Sequence, residues 1–284
     1  MHIEFADRRH ETKDALRQCQ LVQLYLLQLL DDICKRHSIQ YHLDFGTLLG
    51  AVRHEGFIPW DDDLDVAMTH DNYLKFQNVA PTELPNGVLL QTPRTNGGMD
   101  IPISRLRDCK SLYAEGSVRI SNPCGIFLDI YELRRAPKHF RRFHRFLHLI
   151  RCSAWGSICV YRVEPVYTVG QLVWHAVKAL AWQTIWVFAS VLDRSLLVAG
   201  AAGWRHDPSS SRLPYWPISD EVLYPLKQCK FEGLLLPVPN RAEELLDFYY
   251  GDWQKLPPEE ERNPDKKMKL ILPDRAPKVW WAIT

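Results

Sequence analysis

No CxxC pair occurs in this 284-residue sequence, and its seven cysteines, at positions 19, 34, 109, 124, 152, 159 and 229, form no cluster with histidine at zinc spacing. A structural zinc site is thereby excluded, and an odd, scattered set reads as free thiols in a reducing compartment. The opening residues, Met1-His2-Ile3-Glu4-Phe5-Ala6-Asp7-Arg8-Arg9, lack the apolar stretch of a secretory signal, so the cytoplasm is the expected location. Charge of one sign is also missing: 35 Lys and Arg face 34 Asp and Glu, a net charge of +1 that argues against a globally basic nucleic-acid binder. No long apolar run is uninterrupted. Residues 172–192 come nearest, but His175, Lys178 and Gln183 break them, and a lysine near a helix centre costs about 2.5–3.5 kcal/mol on insertion. A buried or interfacial helix is expected there rather than a span. There is no internal repeat, and 46% hydrophobic residues suffice for the core of one large domain or two small ones.

What the chain has is carboxylate concentrated in one place. Asp61-Asp62-Asp63-Leu64-Asp65 leads directly into Val66-Ala67-Met68. In an extended chain alternate side chains share a face, which sets Asp61, Asp63 and Asp65 on one side and Asp62, Leu64 and Val66 on the other. Unit charges about 4 Å apart repel by roughly 4 kcal/mol at an effective dielectric near 20, so such a cluster needs a cation or a proton. Oxygen ligands favour Mg2+, Mn2+ or Ca2+ over zinc, and a Mg2+ held by one or two carboxylates fills its shell with water and substrate phosphates. Taken alone, the run is equally a solvated acidic loop. Upstream, Ile39 to Phe45 reads as a short strand, Gly46-Thr47 as a turn and Leu48 to Arg53 as the start of a helix. Backbone N–H groups at such a junction receive anions. Acids for a metal beside donors for phosphate describe a nucleotide-diphosphate site.

The stretch Gly46-Thr47-Leu48-Leu49-Gly50-Ala51-Val52-Arg53, continued by Gly56-Phe57-Ile58-Pro59-Trp60 and the acidic run, resembles the hallmark of the LicD family. Further matches lie at Gly125-Ile126-Phe127-Leu128-Asp129-Ile130, at Lys230-Phe231-Glu232-Gly233 with Pro237-Val238-Pro239, and at Tyr250-Gly251-Asp252-Trp253. The resemblance implies an α+β fold, a nucleotidyltransferase-like mixed sheet flanked by helices, with a helical insertion. The catalytic core would span 14–133, a basic and apolar helical insertion 134–204, and a C-terminal part completing the domain 205–284. The family is similar in this core to phosphocholine and ribitol-phosphate transferases. That implies a CDP-activated alcohol donor, phosphocholine ahead of other phospho-alcohols, and a glycan or lipid-linked glycan acceptor. Asp129 matches the third carboxylate of the superfamily, either a third metal ligand or the base that activates the acceptor hydroxyl.

On this reading Asp63 and Asp65 hold Mg2+ or Mn2+, with Asp129 completing the shell or taking the proton. Asp61 binds a second ion or orients the first shell. Gly46 and Thr47 offer backbone and hydroxyl donors to phosphate oxygens, and Arg53 and Arg105 add fixed positive charge. Arg105 and Arg107 alternate onto one face of a strand over 101–108 and either hold a phosphate or balance Asp100 and Asp108. His42 either touches substrate or is a satisfied structural histidine.

Elsewhere, residues 14–36 carry apolar positions at spacings of three and four, an amphipathic helix. Asp71 to Phe76 reads as a helix capped by Asp71 or Thr69 and broken at Pro81 and Pro85. Arg134 to Arg151 combines seven Lys and Arg with aromatic residues at helical spacing. That basic amphipathic helix either contacts an anionic membrane peripherally, faces a phosphorylated acceptor, or is a solvated surface. Gly203 to Pro217 reads as a loop, 222–236 as two strands or a hairpin, Arg241 to Tyr250 as a helix ended by Gly251, and Pro257 to Lys269 as an exposed tail. Two rival functions share these residues: glycosyl transfer from a nucleotide sugar through the DxD pair, and a degenerate glycan- or membrane-docking module.

Overall fold

The computed structural model describes residues 5–92, 103–115, 125–137, 143, 146–147, 150, 169–197, 201–206, 218–262 and 269–272. The chain is α+β, with a mixed sheet of mostly antiparallel strands, and it divides into two compact units. The first comprises 1–91, 104–130 and 221–284, the second 92–103 and 131–220.

The first unit begins with α1 (Ala15–Arg36), whose N-cap Asp14 accepts a hydrogen bond from the Arg17 N–H. Its three-and-four spacing buries Leu21, Leu24, Leu27, Leu30 and Ile33, each worth about 1.5–3 kcal/mol of apolar burial. Two glutamines are buried with them. Gln20 Nε2 donates to the Asp61 carbonyl (2.9 Å) and Gln23 Nε2 to the Asp62 carbonyl (2.7 Å), so the helix grips the acidic loop by its backbone. The elements that follow are β1 (His42–Leu43), α2 (Phe45–His54), β2 (Asp65–Thr69), α3 (His70–Glu83), β3 (Val88–Gln91), β4 (Ser104–Asp108), β5 (Leu112–Glu115) and β6 (Phe127–Pro137). The sheet runs β1-β2-β6-β4-β3, with His42 opposite Ala67, Arg105 opposite Asp129 and Leu89 opposite Arg107.

Two expectations are corrected in this unit. The strand expected over Ile39 to Phe45 shrinks to two paired residues, because Asp44 caps α2 and the helix already starts at Phe45. The helix expected to break at Pro81 runs on to Glu83, and the Leu84 N–H still donates to the Ala80 carbonyl at 3.0 Å. His42 is buried, its Nδ1 3.0 Å from the Leu43 carbonyl, which places it in the core.

In the second unit, the later residues of β6 pair antiparallel with β7 (Ala201–His206), Leu133 opposite His206 and Arg135 opposite Trp204. Arg134 to Pro137 are therefore strand where a helix was expected, because their backbone groups are taken by β7. Of that expected helix, residues 143, 146, 147 and 150 are helical and the others lie outside the described residues. Gly203 to His206 are likewise strand rather than loop; residues 207–217 lie outside the described set. Gly203 has φ +76°, and a Cβ there would fall 2.3 Å from the Ile218 carbonyl oxygen, so this bend requires glycine. The Arg135 guanidinium stacks over Trp204 at 3.8 Å and pairs with Asp220 at 2.8 Å. The unit also contains α4 (Val169–Leu197). No helix among the described residues is long and apolar enough to cross a membrane.

The chain returns to the first unit through the single turn α5 (Asp220–Leu223), the hairpin β8 (Lys227–Phe231) and β9 (Leu234–Val238), α6 (Ala242–Tyr250), and β10 (Lys269–Leu272), which pairs with β5. The hairpin turn, Glu232-Gly233, has positive φ at both residues (51° and 81°), the geometry that matches strand twist in two-residue loops. Glu232 ties the hairpin to elements more than 170 residues earlier. It takes two hydrogen bonds from Arg17, at 2.6 and 3.1 Å, and its N–H donates to the Glu55 carbonyl. A Cβ on Gly56 would lie 2.7 Å from the Glu232 carboxylate, so the close approach is possible because residue 56 has none.

Candidate active site

The site is built where β1 hands over to α2. Asp44 is fully buried; its carboxylate accepts from the Phe45 N–H (2.9 Å) and from the Tyr249 hydroxyl (3.2 Å), and its own N–H donates to the Asp65 carbonyl. Phe45 adopts φ +44°, a left-handed conformation that a side chain enters at a cost of about 1 kcal/mol or more. This bend delivers Gly46 to the acids. A Cβ on Gly46 would sit 2.9 Å from Asp61 Oδ2 and 3.9 Å from Asp63 Oδ1, so the backbone at the start of α2 lies directly against both carboxyls. Thr47 is buried, and its hydroxyl accepts from the Asp65 N–H at 2.8 Å, fixing the start of β2 to α2.

The acidic run alternates. Asp62 points into the core, where its carboxylate accepts from the Tyr113 hydroxyl (2.9 Å), and Leu64 and Val66 are fully buried beside it. Asp61, Asp63 and Asp65 form the other face. Burial first, then the negative charge of Asp61, Asp62 and Asp129, holds the Asp63 carboxyl well above the usual carboxylate range. Asp65 is raised in the same direction by burial and then by Asp63, Asp129, Asp61 and Asp44. Asp61 and Asp63 also share a side-chain hydrogen bond, which two carboxyls can form only with a proton between them. Asp129 joins this group from β6, its N–H donating to the Leu64 carbonyl at 2.8 Å.

Asp129 is not alone on its strand. Arg105, its directly opposed partner on β4, donates to both carboxylate oxygens, at 2.6 and 3.2 Å, with its guanidinium carbon 4.2 Å from the Phe127 ring centroid. Arg107 shares the Phe127 face at 5.1 Å, but it is buried, donating to the Gln91 side chain and to the Gly125 carbonyl. Asp108 is matched by Arg9 at 3.0 Å, and Asp100 lies outside the described residues.

The structure thus gathers Gly46, Thr47, Asp61, Asp63, Asp65 and Asp129 with Arg105, and sets Arg53 to one side. Arg53 donates to the Trp253 carbonyl (2.7 Å) and to His54 Nε2 (2.9 Å). Among the described residues no three His, Cys, Asp or Glu side chains converge as a ready-made metal cage. The crowded carboxyls of Asp61, Asp63 and Asp65 still suit a hard divalent ion that takes the rest of its shell from phosphate and water. Sequence reasoning missed Asp44, Tyr249 and Tyr250. Burial and then Asp65, Asp44, Asp61 and Asp63 push the Tyr250 phenol far up, although the residue as a whole is 44% exposed. The only sequence signal for it is the Tyr-Gly-Asp-Trp string at 250–253.

A family profile described as the LicD/FKTN/FKRP nucleotidyltransferase domain matches residues 38–98, which contain α2 and the acidic run. The lipopolysaccharide cholinephosphotransferase LicD of Haemophilus influenzae is 31% identical over 275 residues, 89% of this chain and 96% of that protein. Two uncharacterized Rickettsia proteins match shorter stretches. That of R. typhi is 46% identical over 61 residues, 20% of each chain, and that of R. prowazekii is 33% identical over 122 residues, 39% of this chain and 46% of the other.

Proposed function

The chain belongs to the LicD family, and we propose that it transfers a phospho-alcohol group, phosphocholine, from a CDP-activated donor to a hydroxyl of a glycan. The observation that carries this reading is the carboxyl cluster pressed against the backbone of Gly46, with a transferase of phosphocholine matching nearly end to end. By analogy with that relative, the acceptor is a lipopolysaccharide-type, lipid-linked glycan.

Asp63 and Asp65 would hold a Mg2+ or Mn2+ ion, which when bound would supply positive charge to offset that of the donor diphosphate and the departing nucleotide. The chain's own residues do the rest. Gly46 presents backbone N–H to phosphate oxygens at the start of α2. Thr47 keeps Asp65 in register through its backbone, and Asp61 orients Asp63. Arg105 holds Asp129 by a fork of two hydrogen bonds, one to each carboxylate oxygen, which fixes the plane of the carboxylate and leaves its remaining lone pairs to meet the acceptor hydroxyl. The acceptor oxygen attacks phosphorus as Asp129 takes its proton, the bond from phosphorus to CMP breaks, and CMP leaves with the electron pair.

Peripheral contact with the membrane that carries such an acceptor is assigned to α4. Trp174, Val177, Leu180, Phe188 and Val191 are 55–67% exposed along it, the apolar character an interfacial helix uses. Changing Trp174, Leu180 and Phe188 together to serine is expected to reduce co-sedimentation with anionic vesicles at least fivefold, while turnover of a soluble acceptor is retained. Unchanged sedimentation would remove the membrane contact from the proposal.

The function itself is tested by incubating the protein with CDP-choline, CDP-ribitol or UDP-sugars, each with Mn2+ and a lipopolysaccharide acceptor. CMP release with label on the glycan is expected for CDP-choline. UDP release in its place would mark a glycosyltransferase.

A further inference from the structure

Beside the carboxyl cluster lies a second, oppositely charged feature. Arg262, in the segment expected to be an exposed tail, is folded back. Its Nε donates to the Pro257 carbonyl at 2.7 Å, and its guanidinium carbon lies 5.4 Å from the Trp60 ring centroid. Trp60 meets His54 edge-on at 6.2 Å, and His54 Nε2 accepts from Arg53 Nε. That last bond requires a neutral His54 with its proton on Nδ1, in keeping with the downward push on this imidazole from burial and from Arg53.

Two guanidiniums therefore flank one Trp60–His54 pair. Their hydrogen bonds go to carbonyls and to a neutral ring, and among the described residues neither forms an ion pair, although Glu259, Glu260 and Glu261 immediately precede Arg262. Burial first, and then the charge of Arg262, push the Arg53 pKa down, with Tyr250 acting the other way. Trp60 directly precedes Asp61, so the basic feature adjoins the acidic one along the chain. Guanidinium forks match phosphate oxygens in pairs, and an aromatic face keeps such a fork planar and in place.

We infer that Arg53 and Arg262, set on either side of Trp60 and His54, form a phosphate subsite that holds the nucleotide-side phosphate of the donor. This rests on the proposed CDP-linked donor. Opposite charges divide the diphosphate: the phosphorus that reacts lies toward Asp63 and Asp65, and the phosphate that departs with the nucleoside lies toward the arginines. Arg262 is then a substrate-binding residue that only the C-terminal segment can supply.

The test uses the full chain with Mn2+, reading binding of CMP and of phosphocholine by calorimetry and the steady-state constants for donor and acceptor. Arg262→Gln is expected to weaken CMP binding at least tenfold and to raise the donor KM similarly. Phosphocholine binding and acceptor KM should stay within about twofold of the parent, and the melting temperature within about 2 °C. Arg262→Lys, which keeps the charge, is expected to recover most of the CMP affinity. Unchanged CMP binding by Arg262→Gln, or equal loss of CMP and phosphocholine, overturns the subsite and leaves the donor assignment standing. A parent protein that binds no cytidine nucleotide overturns both.

Discussion

Asp63→Asn is expected to lower transfer by about 10²–10³-fold while raising the melting temperature in chelator-containing buffer. The two effects share one cause. In the parent, the Asp63 carboxyl is raised above its unfolded value of 3.8 by burial and by Asp61, Asp62 and Asp129. The folded chain thus binds more protons than the unfolded one, and this contribution to stability, complete below about pH 4, is lost as pH rises through the elevated value. Asparagine removes the titration, and its amide can donate to Asp61 where a proton is otherwise needed. About 1 kcal/mol moves the midpoint of a domain this size by roughly 2–4 °C, so the gain is readable by thermal melts at pH 7.5. Mn2+ should raise the midpoint of the parent and leave that of Asp63→Asn nearly unmoved. Full turnover by the mutant, or a midpoint below the parent's in chelator, would sink the assignment of these acids.

Arg105→Ala is expected to destabilise the fold by about 3 kcal/mol, a fall of roughly 6–12 °C, because it strands a buried carboxylate among other acids. Asp129 is 5% exposed, and the fork from Arg105 is the cationic contact that balances it. The double mutant Arg105→Ala/Asp129→Asn should recover most of that stability, since the uncompensated charge is gone. Transfer should remain down by about 10²–10⁴-fold, the usual span for a lost acid or base. Urea denaturation of the single and double mutants, read beside CMP release, checks both halves. A single mutant as stable as the parent would show that Arg105 does not hold Asp129.

The centre of the site was legible in the sequence, because alternation in an extended chain needs only local geometry. Asp62 does turn inward and Asp61, Asp63 and Asp65 do share the opposite face. Other features depend on pairings between distant segments. Arg105 meets Asp129 because β4 and β6 lie side by side in one register, which no local pattern encodes. Arg134 to Pro137 carry a helix-like pattern yet form strand, because β7 supplies hydrogen-bond partners from residues 201–206. Tyr249 and Arg262 reach their places from α6 and the segment after it, and their sequence surroundings resemble an ordinary amphipathic helix and a polar loop. The buried glutamines of α1 carry no apolar signal that would mark them as interior; their amides are spent on the carbonyls of residues 61 and 62.

The long-range tie made by Glu232 bears on synthesis. Arg17, Gly56 and the strained turn into α2 leave the ribosome early, while the carboxylate that joins them, the tyrosine that braces Asp44 and the arginine over Trp60 emerge some 175 to 215 residues later. A nascent chain halted before residue 232 would therefore carry every aspartate of the centre and still be inert, its negative charges neither braced nor faced by their cationic counterpart. Catalytic competence in this molecule waits on segments made long after its aspartates.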